Sequence, residues 1–229
     1  MFTQVLAAPI VTALFAILAY ALGMVSRGGA LGGFLVGTLI YACLGPEGFA
    51  ILALFVLGGS LLTRLGYRRK QRAGTAEAGG GRRGARNALA NCSVALVCAL
   101  LAALTSSHAL TAAFVASLGA AFADTAESEV GQLYGRAPRL ITTLRTVPPG
   151  TDGAVSLPGT LAGLVAAALT AALASALGLI ESSMIPVTLA AVLGTVADSL
   201  VGALAPRLGN ELTNVLCTLI AASLTLSLA

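Results

Sequence analysis

The sequence predicts an all-α, polytopic membrane helix bundle of about eight transmembrane helices, one of them short enough to be a full span or a broken, re-entrant one. Three observations carry this. Hydrophobic residues make up 57% of the 229 and charged residues 10%, with a mean hydropathy of +0.94, too few polar groups to clothe a soluble domain. Apolar runs of membrane-crossing length recur along the whole chain. Between alternate runs, and almost nowhere else, lie the basic residues.

The first run, Val5–Leu22, has no basic residue before it and similar runs after it, so it reads as a span rather than a removable signal. The second, Gly28–Leu44, is marginal against the roughly 20 residues a span needs. Its opening is dense in glycine (Gly28, Gly29, Gly32, Gly33, then Gly37), which suits either close backbone approach or a broken segment. Phe49–Leu65, Asn87–Thr105 and His108–Val130 follow, then Ala154–Gly178, Met184–Ala205 and Glu211–Leu228.

Eight crossings place all 13 Lys and Arg residues on one side: Arg27, the run from Arg64 to Arg86, Arg136, Arg139, Arg145 and Arg207. That side is then cytoplasmic, with the chain in the plasma (inner) membrane and both termini outside. One integral membrane domain, 1–229, carries a basic cytoplasmic loop at 66–86 and a Pro/Gly-rich one at 131–153. The glycine-rich stretch Gly66–Gly84 is expected to be mobile when empty. Topology accounts for the net charge of +4 without nucleic acid. Cys43, Cys92, Cys98 and Cys217 lie in separate apolar runs without metal-ligand spacing and read as packing residues. His108 is too isolated to be a base.

Four polar groups exceed what topology asks. Asp124, Glu127 and Glu129 fall within six residues at the end of the fifth run, where a helix dipole disfavours negative charge. On a helix Asp124 shares a face with Glu127 and Ser128, while Glu129 points about 140° away and joins them only if the helix loosens. Asp198 sits alone inside the seventh run, beside Ser199; an interhelical hydrogen bond is its structural explanation. In Val147–Thr160, the turns around Gly150, Thr151 and Gly153 expose N–H groups suited to phosphate, and Asp152 is placed to help hold a cation. This is no Walker A loop, lacking its spacing and lysine. Finally, Arg82 and Arg83, arginines that topology alone also asks for, are a pair able to clamp a phosphate, with Asn91 a turn into the next helix and Asn214 its counterpart near the C-terminus.

All of these lie at the basic boundary, whereas the outer halves of the last five runs are almost wholly apolar. A transport path needs polar groups near the midplane and access from both sides. One-sided clustering suits a soluble substrate meeting a lipid-embedded one. Carboxylates facing arginines and glycine turns are the parts of phosphoryl transfer: acids hold Mg²⁺, while arginines and N–H groups neutralise phosphate charge. A phosphate acceptor is already nucleophilic, so no histidine base is required.

The combination Ala-Asp-Thr-x-x-Ser-Glu-x-Gly at Ala123–Gly131 with Pro-x-Gly-Thr-Asp-Gly at 148–153 resembles the DUF92 family of membrane proteins, which includes the plant phytyl-phosphate kinase of the vitamin E pathway. Gly81–Asn91, Gly194–Gly202 and Asn210–Thr218 extend the likeness over most of the chain. There is wider similarity to dolichol kinases and CTP-dependent cytidylyltransferases. The resemblance implies phosphoryl transfer from CTP or another NTP to a prenyl or phytyl monophosphate, giving the diphosphate. By position it carries over Asp124, Thr125, Ser128, Glu129, Asp152, Asp198, Ser199, Asn91 and Asn214. Of these, Asp124, Glu129, Asp152 and Asp198 are the expected catalytic and metal-holding acids. The remainder, with Arg82, Arg83, Gly150, Thr151 and Gly153, are expected to hold the nucleotide. The family usually has Trp and Ala where this chain has Ala126 and Glu127, and often lysine where it has Arg64, so pocket packing and charge geometry differ here. A lipid-alcohol kinase, a cytidylyltransferase, a small-solute transporter and a non-catalytic assembly protein are the competing readings.

Overall fold

In the computed structural model the chain is described over residues 2–181 and 183–228, and nine helices and one two-stranded sheet lie among those residues. The helices are α1 (Phe2–Ala21), α2 (Arg27–Arg64), α3 (Tyr67–Arg72), α4 (Ala78–Gly81), α5 (Ala85–Thr105), α6 (His108–Tyr134), α7 (Leu157–Ala176), α8 (Met184–Leu204) and α9 (Asn210–Ser227). Strands β1 (Arg139–Leu140) and β2 (Ala154–Val155) pair antiparallel, Arg139 opposite Val155 and Leu140 opposite Ala154. The chain is a multi-pass, all-α membrane protein.

Six of these helices, α1, α2, α5, α6, α7 and α8, are long and apolar enough to cross a membrane. The number is smaller than the sequence expectation for two reasons. The 38-residue α2 contains both the second and third predicted runs, interrupted at Gly45 by a non-helical φ of 70°. Glycine accepts that conformation without a Cβ clash, and Pro46, lacking an N–H, starts the second arm where no donor is needed. The arms fold back on each other. Arg64 at the far end donates to the Leu22 carbonyl just before the near end, and a Cβ at Gly37 would lie 3.1 Å from the Phe49 ring. The second reason is α9, whose 18 residues open Asn-Glu-Leu-Thr-Asn, too polar a start to count as a span by composition.

Helix α6 is the centre of the bundle, buried along Ala112–Ala123 on every side and packed by α2, α5, α7, α8 and α9. It runs to Tyr134, a turn beyond the expected end at Val130, so its acids lie inside a continuous helix. Small residues let neighbours reach its backbone. Gly159 and Gly163 of α7 face the carbonyls of Glu127 and Ala123, and a Cβ on either would fall 2.6 and 3.2 Å from those oxygens. Gly194 of α8 sits against the Cys217 carbonyl of α9, where a Cβ would be 2.7 Å away.

The basic ends of the helices meet. The segment before α2 pairs with the segment before α5, the Ser26 N–H donating to the Arg83 carbonyl at 3.0 Å and the Arg83 N–H to the Met24 carbonyl at 3.1 Å. The stretch 66–84 carries the short helices α3 and α4 and is tied to the bundle at particular points. Lys70 reaches down from α3 to donate to the carbonyls of Leu62 (3.2 Å) and Thr63 (2.9 Å) and to the Glu129 carboxylate. The Tyr67 hydroxyl donates to the Glu77 carbonyl at 2.9 Å.

Candidate functional site

A cavity of about 580 Å³ opens at this basic end, within the usual range for a small-molecule site. Of the fourteen residues singled out from the sequence, all but Arg82 line it. Helix α6 supplies Asp124, Thr125, Ser128 and Glu129, α8 supplies Asp198 and Ser199, and Asn91 and Asn214 come from α5 and α9. Gly150, Thr151, Asp152 and Gly153 come from the β1–β2 connection. Arg82 is exposed and leans toward Gly23 instead.

The β1–β2 connection is bent over the cavity by specific turns. Thr151 donates twice to the Pro148 carbonyl, from its N–H at 3.3 Å and its hydroxyl at 2.8 Å. Gly153, at φ 74°, lies so close to α8 that a Cβ would come within 2.5 Å of Ser199 O and Ala203 N. Only glycine combines that approach with that φ. This contact carries exposed Asp152 to the same wall as half-buried Asp198.

On α6 the two acid faces separate, as the unbroken helix requires. Glu127 accepts from the Thr160 hydroxyl of α7 at 3.1 Å, and Asp124 lines the cavity beside Asp198. Glu129 turns toward α3 and forms an ion pair with Lys70, whose side chain is 1% exposed. Lys70 was legible only as a topology charge, yet one signal was available: it is the sole lysine among twelve arginines. A flexible single point charge can enter where a planar guanidinium cannot.

Arg83 is a half-buried cation of the same cavity, its Nε enclosed without a partner. Its guanidinium donates to Thr125 Oγ1 at 3.1 Å and Asn87 Oδ1 at 3.3 Å and stacks over Phe55 at 5.3 Å. Burial pulls its pKa down, opposed by the charges of Glu129, Glu77 and Asp124. Asn91, 2% exposed, donates to the Asn87 carbonyl at 2.9 Å. Sequence reasoning passed over Asn87, Gln132, Ser156, Asn210 and Thr213 as site residues, all of which line the cavity. Three helices, α5, α7 and α9, begin at the rim. The N-caps of α5 and α9 are Gly84 and Gly209, which offer no side-chain cap, leaving first-turn N–H groups for an anion.

Among the described residues no three His, Cys, Asp or Glu side chains converge closely enough to hold a metal ion. The donor chemistry nonetheless fits a hard divalent cation. Asp124, Asp152 and Asp198 are oxygen donors on one cavity, and Asp198 Oδ1 is buried without a hydrogen-bond partner.

Fold and site together define a polytopic membrane protein whose polar, carboxylate-lined chamber opens at the arginine-rich end of an otherwise apolar bundle. The chain belongs to the family described as integral membrane protein DUF92, which matches residues 10–222. It is 36% identical over 203 residues to an uncharacterized membrane protein of Synechocystis sp., covering 85% of this chain and 79% of that one. It is 38% identical over 144 residues to Protein VTE6, chloroplastic, of Arabidopsis thaliana, covering 61% of this chain and 43% of the plant protein. An uncharacterized membrane protein of Methanocaldococcus jannaschii is 37% identical over 137 residues, 59% of this chain and 56% of the archaeal one. The chain thus spans well under two thirds of the plant and archaeal relatives. No solved structure matches.

Proposed function

We propose that the protein is a membrane phosphotransferase that moves a phosphoryl group from CTP, or another nucleoside triphosphate, to a prenyl or phytyl monophosphate. If the two arms of α2 cross separately and α9 crosses as well, the count is eight, and the one-sided basic charge then supports a chamber facing the cytoplasm from the inner membrane, with both termini outside. The observation that carries the reading is the division of the chamber. Asp124, Asp152 and Asp198 share a cavity with Arg83, Arg86 and the uncapped N-termini of α5 and α9.

Two polyanions can share such a site because cationic and N–H groups offset their repulsion. One or two of Asp124, Asp152 and Asp198, together with phosphate oxygens of the nucleotide, would hold a Mg²⁺ ion that neutralises phosphate charge; Glu129 is engaged by Lys70 and positions α3 instead. Thr125, Ser128, Ser199, Asn91 and Asn214 supply neutral hydrogen-bonding groups for the nucleotide. An oxygen of the acceptor phosphate bonds to the γ-phosphorus while the bond from that phosphorus to the β–γ bridging oxygen breaks, leaving CDP and the lipid diphosphate. The acceptor is already ionised, so no general base is needed. The family resemblance supports the substrate class.

The test is product identity. Purified protein incubated with Mg²⁺, CTP and a panel of prenyl monophosphates is expected to yield CDP and lipid diphosphate. Release of pyrophosphate would make it a cytidylyltransferase, and flux of a polar solute through vesicles without turnover would make it a transporter.

A further inference from the structure

We propose that the turn joining α1 to α2 is a binding site for an anionic phospholipid headgroup, formed by Arg27, Arg64 and Arg82. The site lies outside the chamber and does not depend on its chemistry. Arg82 is the sequence-selected residue that the chamber leaves out, and its position has a cause of its own. The Arg83 N–H donates to the Met24 carbonyl at 3.1 Å, which sets the preceding Arg82 against Gly23. A Cβ at Gly23 would lie 3.2 Å from Arg64 Nη2, 3.5 Å from Arg82 Nε and 3.6 Å from Arg82 Nη2. Glycine supplies both the missing Cβ and the φ of 67° at this turn, so two guanidiniums lie low over it. Arg27 is held to the same turn, its Nε donating to the Tyr20 hydroxyl at 3.3 Å.

Three exposed arginines from separate stretches of chain therefore converge, and no acid meets them: among the described residues the one side-chain ion pair is Lys70–Glu129. The Leu22 carbonyl accounts for Arg64, a cation at the C-terminal end of α1 being favoured by the helix dipole. The Tyr20 hydroxyl accounts for Arg27. Neither explains why Arg82 is brought beside them. Like charges held together repel until an anion sits between them, and planar guanidinium forks match phosphate oxygens two at a time. The surroundings select the anion. Both α1 and α2 are long and apolar enough to cross a membrane, and Leu18, Leu22, Leu31, Leu61 and Leu65, within about a turn of the cluster along those helices, are exposed. A lipid phosphate brings its chains with it, and these leucines give the chains an apolar surface beside the arginines. A zwitterionic headgroup also brings a cation, which three arginines without an acid disfavour, so the fit is to a net-negative headgroup.

The test uses the full-length protein in nanodiscs of equal phosphatidylglycerol and phosphatidylcholine, with the lipids retained on the released protein counted by native mass spectrometry. Phosphatidylglycerol is expected to be retained over phosphatidylcholine by at least about fivefold, within the reach of three arginines at a membrane surface. The triple variant Arg27→Gln, Arg64→Gln, Arg82→Gln should bring that preference below about twofold. Removing the same charge from exposed positions of α3, by Arg68→Gln, Arg69→Gln and Arg72→Gln, should leave it intact. Equal loss in the two triple variants would reduce the preference to diffuse surface charge and overturn the site, as would a wild-type preference below about twofold. Inorganic phosphate that displaces phosphatidylglycerol would assign the arginines to a soluble anion and refute the lipid. Should the first triple variant fail to fold, Arg82→Gln alone decides, because Arg82 is exposed and its replacement leaves the Arg64–Leu22 and Arg27–Tyr20 bonds in place. A preference at least halved supports the site, and an unchanged one refutes it.

Discussion

Replacing Lys70 with methionine should release the segment 66–84 from the bundle without dismantling the bundle itself. The lysine is 1% exposed and satisfies the carbonyls of Leu62 and Thr63 together with the carboxylate of Glu129. Methionine preserves the stem's volume and removes every one of those bonds. Breaking a buried ion pair from one side costs about 3–5 kcal/mol, because the other charge is left uncompensated. Here Glu129, 11% exposed, keeps some access to water, so the lower end applies. At about 1.4 kcal/mol per decade, roughly 3 kcal/mol raises the population of the opened segment by about a hundredfold. Hydrogen exchange read by mass spectrometry should show it in peptides covering 67–75, with peptides from the middle of α6 unchanged. The double variant Lys70→Met with Glu129→Gln should recover part of the loss, since it removes both charges. Exchange within threefold of wild type in the single variant would refute the clamp.

Gly153→Ala should loosen the β1–β2 connection, since its Cβ would meet Ser199 and Ala203 of α8 at a φ of 74°; about 1–3 kcal/mol of strain should appear as faster proteolysis within 141–153 and as lost transfer activity. Gly194→Val should lower the melting temperature through overpacking of about 1–3 kcal/mol where α8 meets Cys217 and Ala221 of α9, with product identity unchanged. Cysteine placed at Glu47 in a cysteine-free background should react with an impermeant reagent in intact cells, whereas cysteine at Thr75 should react only after permeabilisation; labelling of both from one side would contradict the topology. Chelation of divalent cations should abolish transfer and Mg²⁺ should restore it.

The membrane bundle was legible because lipid demands apolar runs of a set length, and every run is helix over most of its length. Its boundaries slipped where local chemistry overrode hydropathy. Gly45 and Pro46 turned a predicted short loop into a tight reversal within α2, and α6 continued a turn into the polar zone because nothing in Glu129–Tyr134 breaks a helix. The site was legible to the extent that polar residues in hydrocarbon need a reason, which brought Asp124, Asp198 and Asn91 to notice. What stayed hidden were residues that look ordinary beside a membrane. Lys70 reads as one more inside charge until burial marks it out, and Arg82 and Arg83 are indistinguishable until the Met24–Arg83 pairing aims one inward and the other out. The glycines at 159 and 163 carry a spacing seen often in membrane helices, but only the packing tells that they bring α7 onto the carbonyls beside Asp124.

The most direct test of the account is a single-turnover experiment with CTP labelled at the γ-phosphate, purified protein, Mg²⁺ and a prenyl monophosphate. The label should appear in the lipid diphosphate with one CDP formed per transfer, and Asp124→Asn or Asp198→Asn protein that retains wild-type melting should transfer none. Label that stays in CTP or leaves as pyrophosphate, or undiminished transfer by both folded variants, would contradict it.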